Sequence, residues 1–298
     1  MKLYAPAYYK NFRCIADKCE HSCCIGWEID IDKEALNKYR KAEDGYGIII
    51  KESISYDGEP HFKLDTHDRC PHLDENGLCQ IILNLGEDHL CNICREHPRF
   101  YNFTKTAEVG IGMSCPEAAR CILSSPCYDI SEEIGEFAAD EDTVDFDGRA
   151  ERSKVFGILR DGNTDYNTRL EKIYRKYRIS PCEDHMWLEI INSLEYLNDD
   201  HKKLFGEYSS HKRPVGADEY LERGLAYFIY RHCTEAVDAM DFSDRLEFCL
   251  FAERLLASMI VSQNATSLEQ IAALASILSE EIEYSDDNTL SLMYHTVM

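Results

Sequence analysis

Cys14-Ile15-Ala16-Asp17-Lys18-Cys19-Glu20-His21-Ser22-Cys23-Cys24 puts four thiols into eleven residues, and that density decides how the first third of the chain can fold. Four thiols so close can converge on one site only if the backbone winds tightly, and Gly26 just beyond them lacks the Cβ that would resist such a turn. Cys23 and Cys24 are adjacent and point different ways, so they serve two centres, or one is a ligand and the other a core contact. Further thiols follow in Cys70-Pro71-His72-Leu73, in Gly77-Leu78-Cys79, in Cys91-Asn92-Ile93-Cys94-Arg95-Glu96-His97-Pro98-Arg99 and in Ser114-Cys115-Pro116-Glu117. With Cys121 and Cys127, eleven of the 14 cysteines precede residue 128, whereas Cys182, Cys233 and Cys249 are scattered. In a reducing compartment, clustered thiols bind metal more often than they form disulfides. Thiolates prefer zinc, copper(I) or iron–sulfur clusters, and four of them suit either zinc or a cluster, so spacing leaves the metal open. A Cys-Pro step holds its thiol on an extended backbone. Reduced core cysteine is the competing account; it suits Cys233 and Cys249 on their apolar helix faces better than eleven thiols in 127 residues.

The rest of the composition narrows the class. The chain has 298 residues, a mass of 34.4 kDa and 44% hydrophobic residues, enough for a real core, which excludes disordered and collagen-like chains. The most apolar run, Phe248 to Val261, is interrupted by Glu253 and Arg254, so no membrane span is expected. The opening MKLYAPAYYKNF has no apolar signal-peptide region, and a cytoplasmic location is expected. The formal net charge is −23, with −5 in residues 1–127 and −18 in residues 128–298. Such a chain repels nucleic acid and anionic membranes; a cationic partner such as a lysine side chain fits it better.

Composition also splits the chain. Residues 1–127 read as a Cys-rich, mixed α/β metal-binding domain of short elements. In it Trp27 to Asp32 alternates like a strand and Asp32 can cap a helix through Tyr39. Ile48 to Tyr56 and His61 to Leu64 look like paired strands around the Asp57-Gly58-Glu59-Pro60 turn. Gln80 to Leu90 carries one or two helical turns, Val109 to Met113 a strand, and Pro116 opens a helix through Leu123. Residues 128–149 hold nine acidic groups and one basic residue, Arg149, as expected of a solvated connector. Residues 150–298 follow a 3.6-residue period over Tyr166–Tyr177, His185–Tyr208, Asp218–Met240, Ser243–Gln263 and Ser267–Glu283. Asp218, Ser243 and Ser267 are expected N-caps. The fold class expected is therefore mainly α, the metal-binding domain being followed by an all-α bundle.

Familiar enzyme signatures are missing. Gly45-Tyr46-Gly47 and Gly110-Ile111-Gly112 lack the third glycine and the βαβ context of dinucleotide or ordinary methyltransferase folds. The CxxxCxxC of radical enzymes that use S-adenosylmethionine fails, because Cys24 directly follows Cys23 and position 26 is Gly. There is no GxSxG, no HExxH and no alternating strand–helix series.

The pieces that do occur form a pattern over residues 12–121. They are Phe12-Arg13-Cys14, Cys19, Cys23-Cys24 with Gly26-Trp27, Cys70-Pro71, and Leu73-Asp74-Glu75-Asn76-Gly77-Leu78-Cys79. Leu85-Gly86-Glu87 with Leu90, Cys94-Arg95 with Pro98-Arg99, and Ser114-Cys115-Pro116-Glu117-Ala118-Ala119-Arg120 complete it. In order and spacing this third of the chain resembles the flagellin lysine-N-methylase (FliB-type) family and, more loosely, the zinc- or iron-chelating CxxxCxxCC domain. His97 departs from the pattern, where the family has an aromatic residue.

The resemblance implies methyl transfer from S-adenosylmethionine to surface lysines of flagellin or another lysine-bearing protein, with a [4Fe–4S] cluster or, alternatively, zinc. It selects Cys14, Cys19, Cys23, Cys24, Cys70, Cys79, Cys94 and Cys115 as metal positions and leaves out Cys91, Cys121 and Cys127. Arg95 and Arg99, beside Cys94, would offset thiolate charge or hold a carboxylate of the cofactor. No catalytic base is identified. The rival function is a non-catalytic module in which zinc or an iron–sulfur centre staples the domain and the helices bind a partner.

Overall fold

A computed structural model describes residues 1–19, 22–43, 45–125, 130–137, 146–180 and 183–295. In chain order the strands are β1 (Lys2–Pro6), β2 (Ile54–Ser55), β3 (His61–Phe62), β4 (Arg99–Phe103), β5 (Ala107–Ile111) and β6 (Ile130–Glu136). The helices are α1 (Lys33–Arg40), α2 (Gly45–Glu52), α3 (Gln80–Leu85), α4 (Asn92–Glu96), α5 (Pro116–Ser124), α6 (Gly148–Leu159) and α7 (Tyr166–Tyr177). They continue with α8 (Asp184–Ser193), α9 (Asp199–Phe205), α10 (Asp218–His232), α11 (Ala239–Ser262), α12 (Leu268–Glu283) and α13 (Asp286–Met293). The protein is mainly α, as its periodicity indicates. Among the described residues no helix is long and apolar enough to cross a membrane.

Contacts divide the chain into a Cys-rich unit, Arg13–Arg99, and a helical unit made of Met1–Phe12 with Phe100–Met298. Composition places the limits elsewhere, at 127 and 150, because it follows cysteine density and cannot register strand pairing. β1 pairs in parallel with β5, Leu3 opposite Ala107 and Tyr4 opposite Glu108, and antiparallel with β6. The resulting sheet, ordered β4-β5-β1-β6, belongs to the helical unit, which is therefore not all-α. Residues 130–136 of the expected acidic connector are strand β6, not solvated coil. Lys2 and Lys10 supply cations to it, at 2.7 Å from Glu133 and 2.9 Å from Glu132. Residues 128–129 and 138–145 of that connector lie outside the described residues.

The core of the helical unit is built by α5, α10, α11 and α12. From Phe248 to Ile260 every residue of α11 except Arg254 is buried, so this part of the helix is central and has no solvent stripe. Trp187 of α8 stacks on its Phe251, with ring centroids 3.9 Å apart. Charge is also buried here. Arg152 on α6 makes a two-pronged salt bridge to Glu108 on β5, Nη1 to Oε2 at 2.8 Å and Nη2 to Oε1 at 2.9 Å, and both side chains are fully buried. Arg149 adds a third contact at 3.0 Å. Gly148 lets the start of α6 approach the end of α10 closely, since a Cβ there would meet the Thr234 carbonyl oxygen at 2.4 Å.

Several helix boundaries differ from the periodic ones. Ser267 caps α12 in a reciprocal box with Gln270, as expected. The segment His185–Tyr208 breaks into α8 and α9. The backbone N–H groups freed at the break are taken by the buried Asn288 (Glu195 N, 3.0 Å) and Glu281 (Leu197 N, 2.9 Å). Asp218 is the first residue of α10, with Ala217 at the cap. Asp238, not Ser243, caps α11 through the Met240 and Asp241 N–H groups, which ends α10 before Met240. Ser243 is interior to α11 and donates to the Ala239 carbonyl.

In the Cys-rich unit, Ile48–Tyr56 is mostly helix α2, with only Ile54–Ser55 in a strand. Its β-branched run favours a strand, but packing overrides propensity. Gly47 lies against Ala42, where a Cβ would come within 2.5 Å of the Ala42 Cβ, and Ile50 one turn on is buried. Asp32 caps α1 as expected, accepting from Glu34 and Ala35. The core of this unit is small: Ile29, Ile31, Ala35, Leu36, Tyr39, Ile50, Ile54, Phe62 and Ile81, with Cys70 and Cys91 among them.

Candidate metal centre

Two short ladders and one helix start bring the thiols together. Cys70 N donates to the Cys24 carbonyl at 2.8 Å and Gly26 N to the Asp68 carbonyl at 2.9 Å, so residues 24–26 run antiparallel beside 68–70. Gly26, at φ +93°, turns the chain out of this ladder. The second ladder is a tight loop closed by Asp74 N to Leu78 O (3.0 Å) and Gln80 N to His72 O (2.7 Å), which returns Cys79 beside Leu73. Asp74 holds it from inside, accepting from Asn76 N and Leu78 N, both at 2.9 Å, and Gly77 takes the positive φ the turn needs. Cys79 then occupies the cap position of α3 and Cys91 that of α4.

Asp32 joins these parts. One carboxylate oxygen caps α1; the other accepts the Asn92 N–H at 2.7 Å, so the same side chain fixes the start of α4. α4 then carries Cys94 back to Cys91, with the two sulfurs 3.5 Å apart.

The thiols titrate far from one another. A hydrogen bond from Cys23, reinforced by Ser22 and by the Arg69 guanidinium, outweighs burial and draws the Cys24 thiol down to about 7. Burial pushes Cys70 up to about 12, with neighbouring thiols adding to the rise. Burial likewise raises Cys79, although the Ile82 and Ile81 N–H groups at the start of α3 oppose it. Cys91 and Cys94 share one hydrogen bond, so the pair gives up its first proton easily and holds its second.

His72 is not available as a ligand. Its Nε2 meets Ser53 Oγ at 2.8 Å and its Nδ1 meets the Tyr46 hydroxyl at 3.0 Å. Ser53 donates its own proton to the Ile50 carbonyl, so Nε2 carries the ring hydrogen and Tyr46 donates to Nδ1. Burial lowers the pKa of His72 to about 4, which keeps the ring neutral.

Of the eight positions selected by pattern, Cys24, Cys70, Cys79 and Cys94 pack together around the core of the Cys-rich unit. Cys14 and Cys23 are exposed and Cys19 half-buried on the loop before Cys24. Cys115 belongs to the helical unit, where it caps α5. Arg95 is engaged by Asn92 and Glu96, and Arg99 donates to the Arg95 carbonyl. The cation that acts on the thiols is Arg69, passed over in the sequence although it adjoins Cys70. Cys127 and Cys182 lie outside the described residues. No disulfide joins the twelve described cysteines, and among the described residues no three Cys, His, Asp or Glu side chains already converge on one ion.

Comparison with known proteins agrees with the pattern. The chain is 32% identical over 131 residues to a flagellar biosynthetic protein FliU of Salmonella muenchen, an alignment covering 41% of this chain and 76% of FliU. The chain belongs to the flagellin lysine-N-methylase (FliB-type) family. Proteins named lysine-N-methylase from Salmonella choleraesuis and Salmonella typhimurium align at the same 32% over 131 residues, covering 41% of this chain and 32% of theirs. The chain thus spans about a third of the length of those two relatives. No family model and no solved structure matches it.

Proposed function

We propose that the protein transfers methyl groups from S-adenosylmethionine to lysine ε-amines of a protein substrate, flagellin or one like it, and that its Cys-rich unit holds a [4Fe–4S] cluster, with zinc as the alternative. The observation that carries the activity is the likeness to proteins named lysine-N-methylase. The donor set fits the metal. Soft thiols, buried or half-buried, share one small core, and the 3.5 Å between the Cys91 and Cys94 sulfurs is close to the roughly 3.8 Å edge of a tetrahedral thiolate site with 2.3 Å bonds. The ligands would be drawn from the thiols that share this core, Cys24, Cys70, Cys79 and Cys94 among them. A cluster with one iron left free of thiolate would supply a Lewis-acidic site for the amino and carboxylate groups of the methyl donor; fully ligated, it would, like zinc, supply folding energy.

The lysine ammonium, with an ordinary pKa of about 10.4, gives up a proton before its nitrogen lone pair forms the new C–N bond. The methyl–sulfur bond breaks as that bond forms, and its electrons stay on sulfur, which leaves as the neutral thioether. Arg69 balances thiolate charge at Cys24. The net −18 of residues 128–298 draws a lysine-bearing substrate, although carboxylates directly at the amine would raise its pKa and slow attack.

The test is incubation of anaerobically purified full-length chain with flagellin and methyl-labelled S-adenosylmethionine. Label on lysine, with iron and acid-labile sulfide in near-equal amounts, is expected. No transfer overturns the activity, and stoichiometric zinc without iron overturns the cluster. A second reading, a metal staple without catalysis, is favoured by the burial of Cys70 and Cys91 inside the core of the unit. Metal-loaded protein that fails to bind S-adenosylmethionine in calorimetry would select it.

A further inference from the structure

We propose that Cys91, which the family pattern omits, is a metal ligand and chelates together with Cys94. The inference rests on the metal centre proposed above. Four observations carry it. Cys91 is only 1% exposed and lies in the core of the Cys-rich unit, the same core against which Cys24, Cys79 and Cys94 pack. Its sulfur is 3.5 Å from that of Cys94. Its backbone is fixed on both sides: the Cys91 carbonyl accepts the Arg95 N–H at 3.0 Å, and Asn92 N donates to Asp32. Finally, Asp32 spends one of its two carboxylate oxygens on this segment, so the start of α4 is tied to α1 rather than left as a loop end.

A Cys-x-x-Cys pair across one helical turn presents two thiolates on one side, which suits a metal edge and needs little rearrangement. With Cys24, Cys70 and Cys79 it makes five candidate thiols for a centre that takes four. The edge assigned is Cys91 with Cys94, and the other two positions would be drawn from Cys24, Cys70 and Cys79, which share this core.

Metal content and affinity under chelator competition test this in the full-length chain, apart from any activity. Cys91→Ser and Cys94→Ser should each weaken metal binding by more than the roughly 10–100-fold that loss of a group hydrogen-bonded to a ligand costs. Cys121→Ser, in the helical unit, should leave it unchanged. Cys91→Ser with wild-type affinity overturns the assignment. A wild-type chain that binds neither zinc nor iron overturns the metal centre itself, which is a different result. Because Cys91 is also a core residue, its ¹³Cβ resonance is followed in the wild-type chain as Zn²⁺ is added. A shift together with Cys94 supports the assignment, and a Cys91 resonance that stays put while Cys94 moves defeats it.

Discussion

The helical unit and the Cys-rich unit are held together in different ways. The first buries long apolar faces of α10, α11 and α12 and can afford fully buried ions such as Glu108 and Arg152 inside them. The second has short helices, a two-residue strand pair and a core of few side chains, two of them cysteines. Its order comes from turns and from side chains that satisfy backbone groups: Asp32, Asp74 and the His72–Ser53–Tyr46 chain. A small core of this kind gains most from a metal cross-link, whereas a large one gains least.

The largest expected effect separates the two directly. Removing metal with a strong chelator should lower the thermal transition of the Cys-rich unit by far more than that of the helical unit. Structural thiolate sites contribute about 10–16 kcal/mol of apparent binding energy. Scanning calorimetry with and without chelator measures this; two unmoved transitions would show that both units stand on packing alone.

Next in size is Arg152→Ala, which leaves the buried Glu108 with Arg149 as its remaining cation. A loss of about 3–5 kcal/mol is expected in denaturant unfolding, with thiol content and metal unchanged. The double change Arg152→Met with Glu108→Leu should recover most of it, and if it does not, the pair is more than a packing element.

Asp32→Ala removes the caps of both α1 and α4, at roughly 1–2 kcal/mol, from the Cys-rich unit only. Burial would raise the carboxyl pKa of Asp32, but the Ala35, Asn92 and Glu34 N–H groups outweigh it and hold it below the usual range. Its contribution is therefore complete above the unfolded value of about 3.9 and disappears as pH falls through the lower folded value. The wild-type advantage over the variant should vanish in acid. An advantage that persists there would mean the carboxylate is not what caps these helices.

The smallest effect is kinetic. In metal-depleted protein, alkylation of Cys24 should rise with a midpoint near pH 7, as its thiolate forms, while Cys70 stays protonated until about 12. Peptide mass spectrometry resolves the two. Equal pH profiles would remove the electrostatic role assigned to Arg69 and Cys23.

Sequence made some of this legible and hid the rest for physical reasons. Tyr166–Tyr177 shows its α7 exactly where an apolar stripe recurs, Ser267 with Gln270 announces α12, and Pro116 opens α5, because caps and period are local signals. α2 was hidden by three isoleucines whose strand preference yields to the contact of Gly47 with Ala42. The break between α8 and α9 depends on Glu281 and Asn288, some ninety residues away. At the candidate centre, Cys24, Cys70, Cys79 and Cys94 could be read from spacing and resemblance. Cys91 stands in a Cys-x-x-Cys spacing that the family pattern omits. Arg69 and the second bond of Asp32 could not be read, since each matters through a neighbour that only folding supplies.

The placement of β1 has a consequence for how the chain is made. The strand leaves the ribosome well before its parallel neighbour β5, which follows only after the whole of Arg13–Arg99. At 5–20 residues per second that delay is on the order of ten seconds. By its end all of Arg13–Arg99 has been made, while α6 to α13 have not. Metal loading can thus precede assembly of the helical unit, and a nascent chain stalled near residue 140, with Arg13–Arg99 clear of the ribosome, should already take up metal.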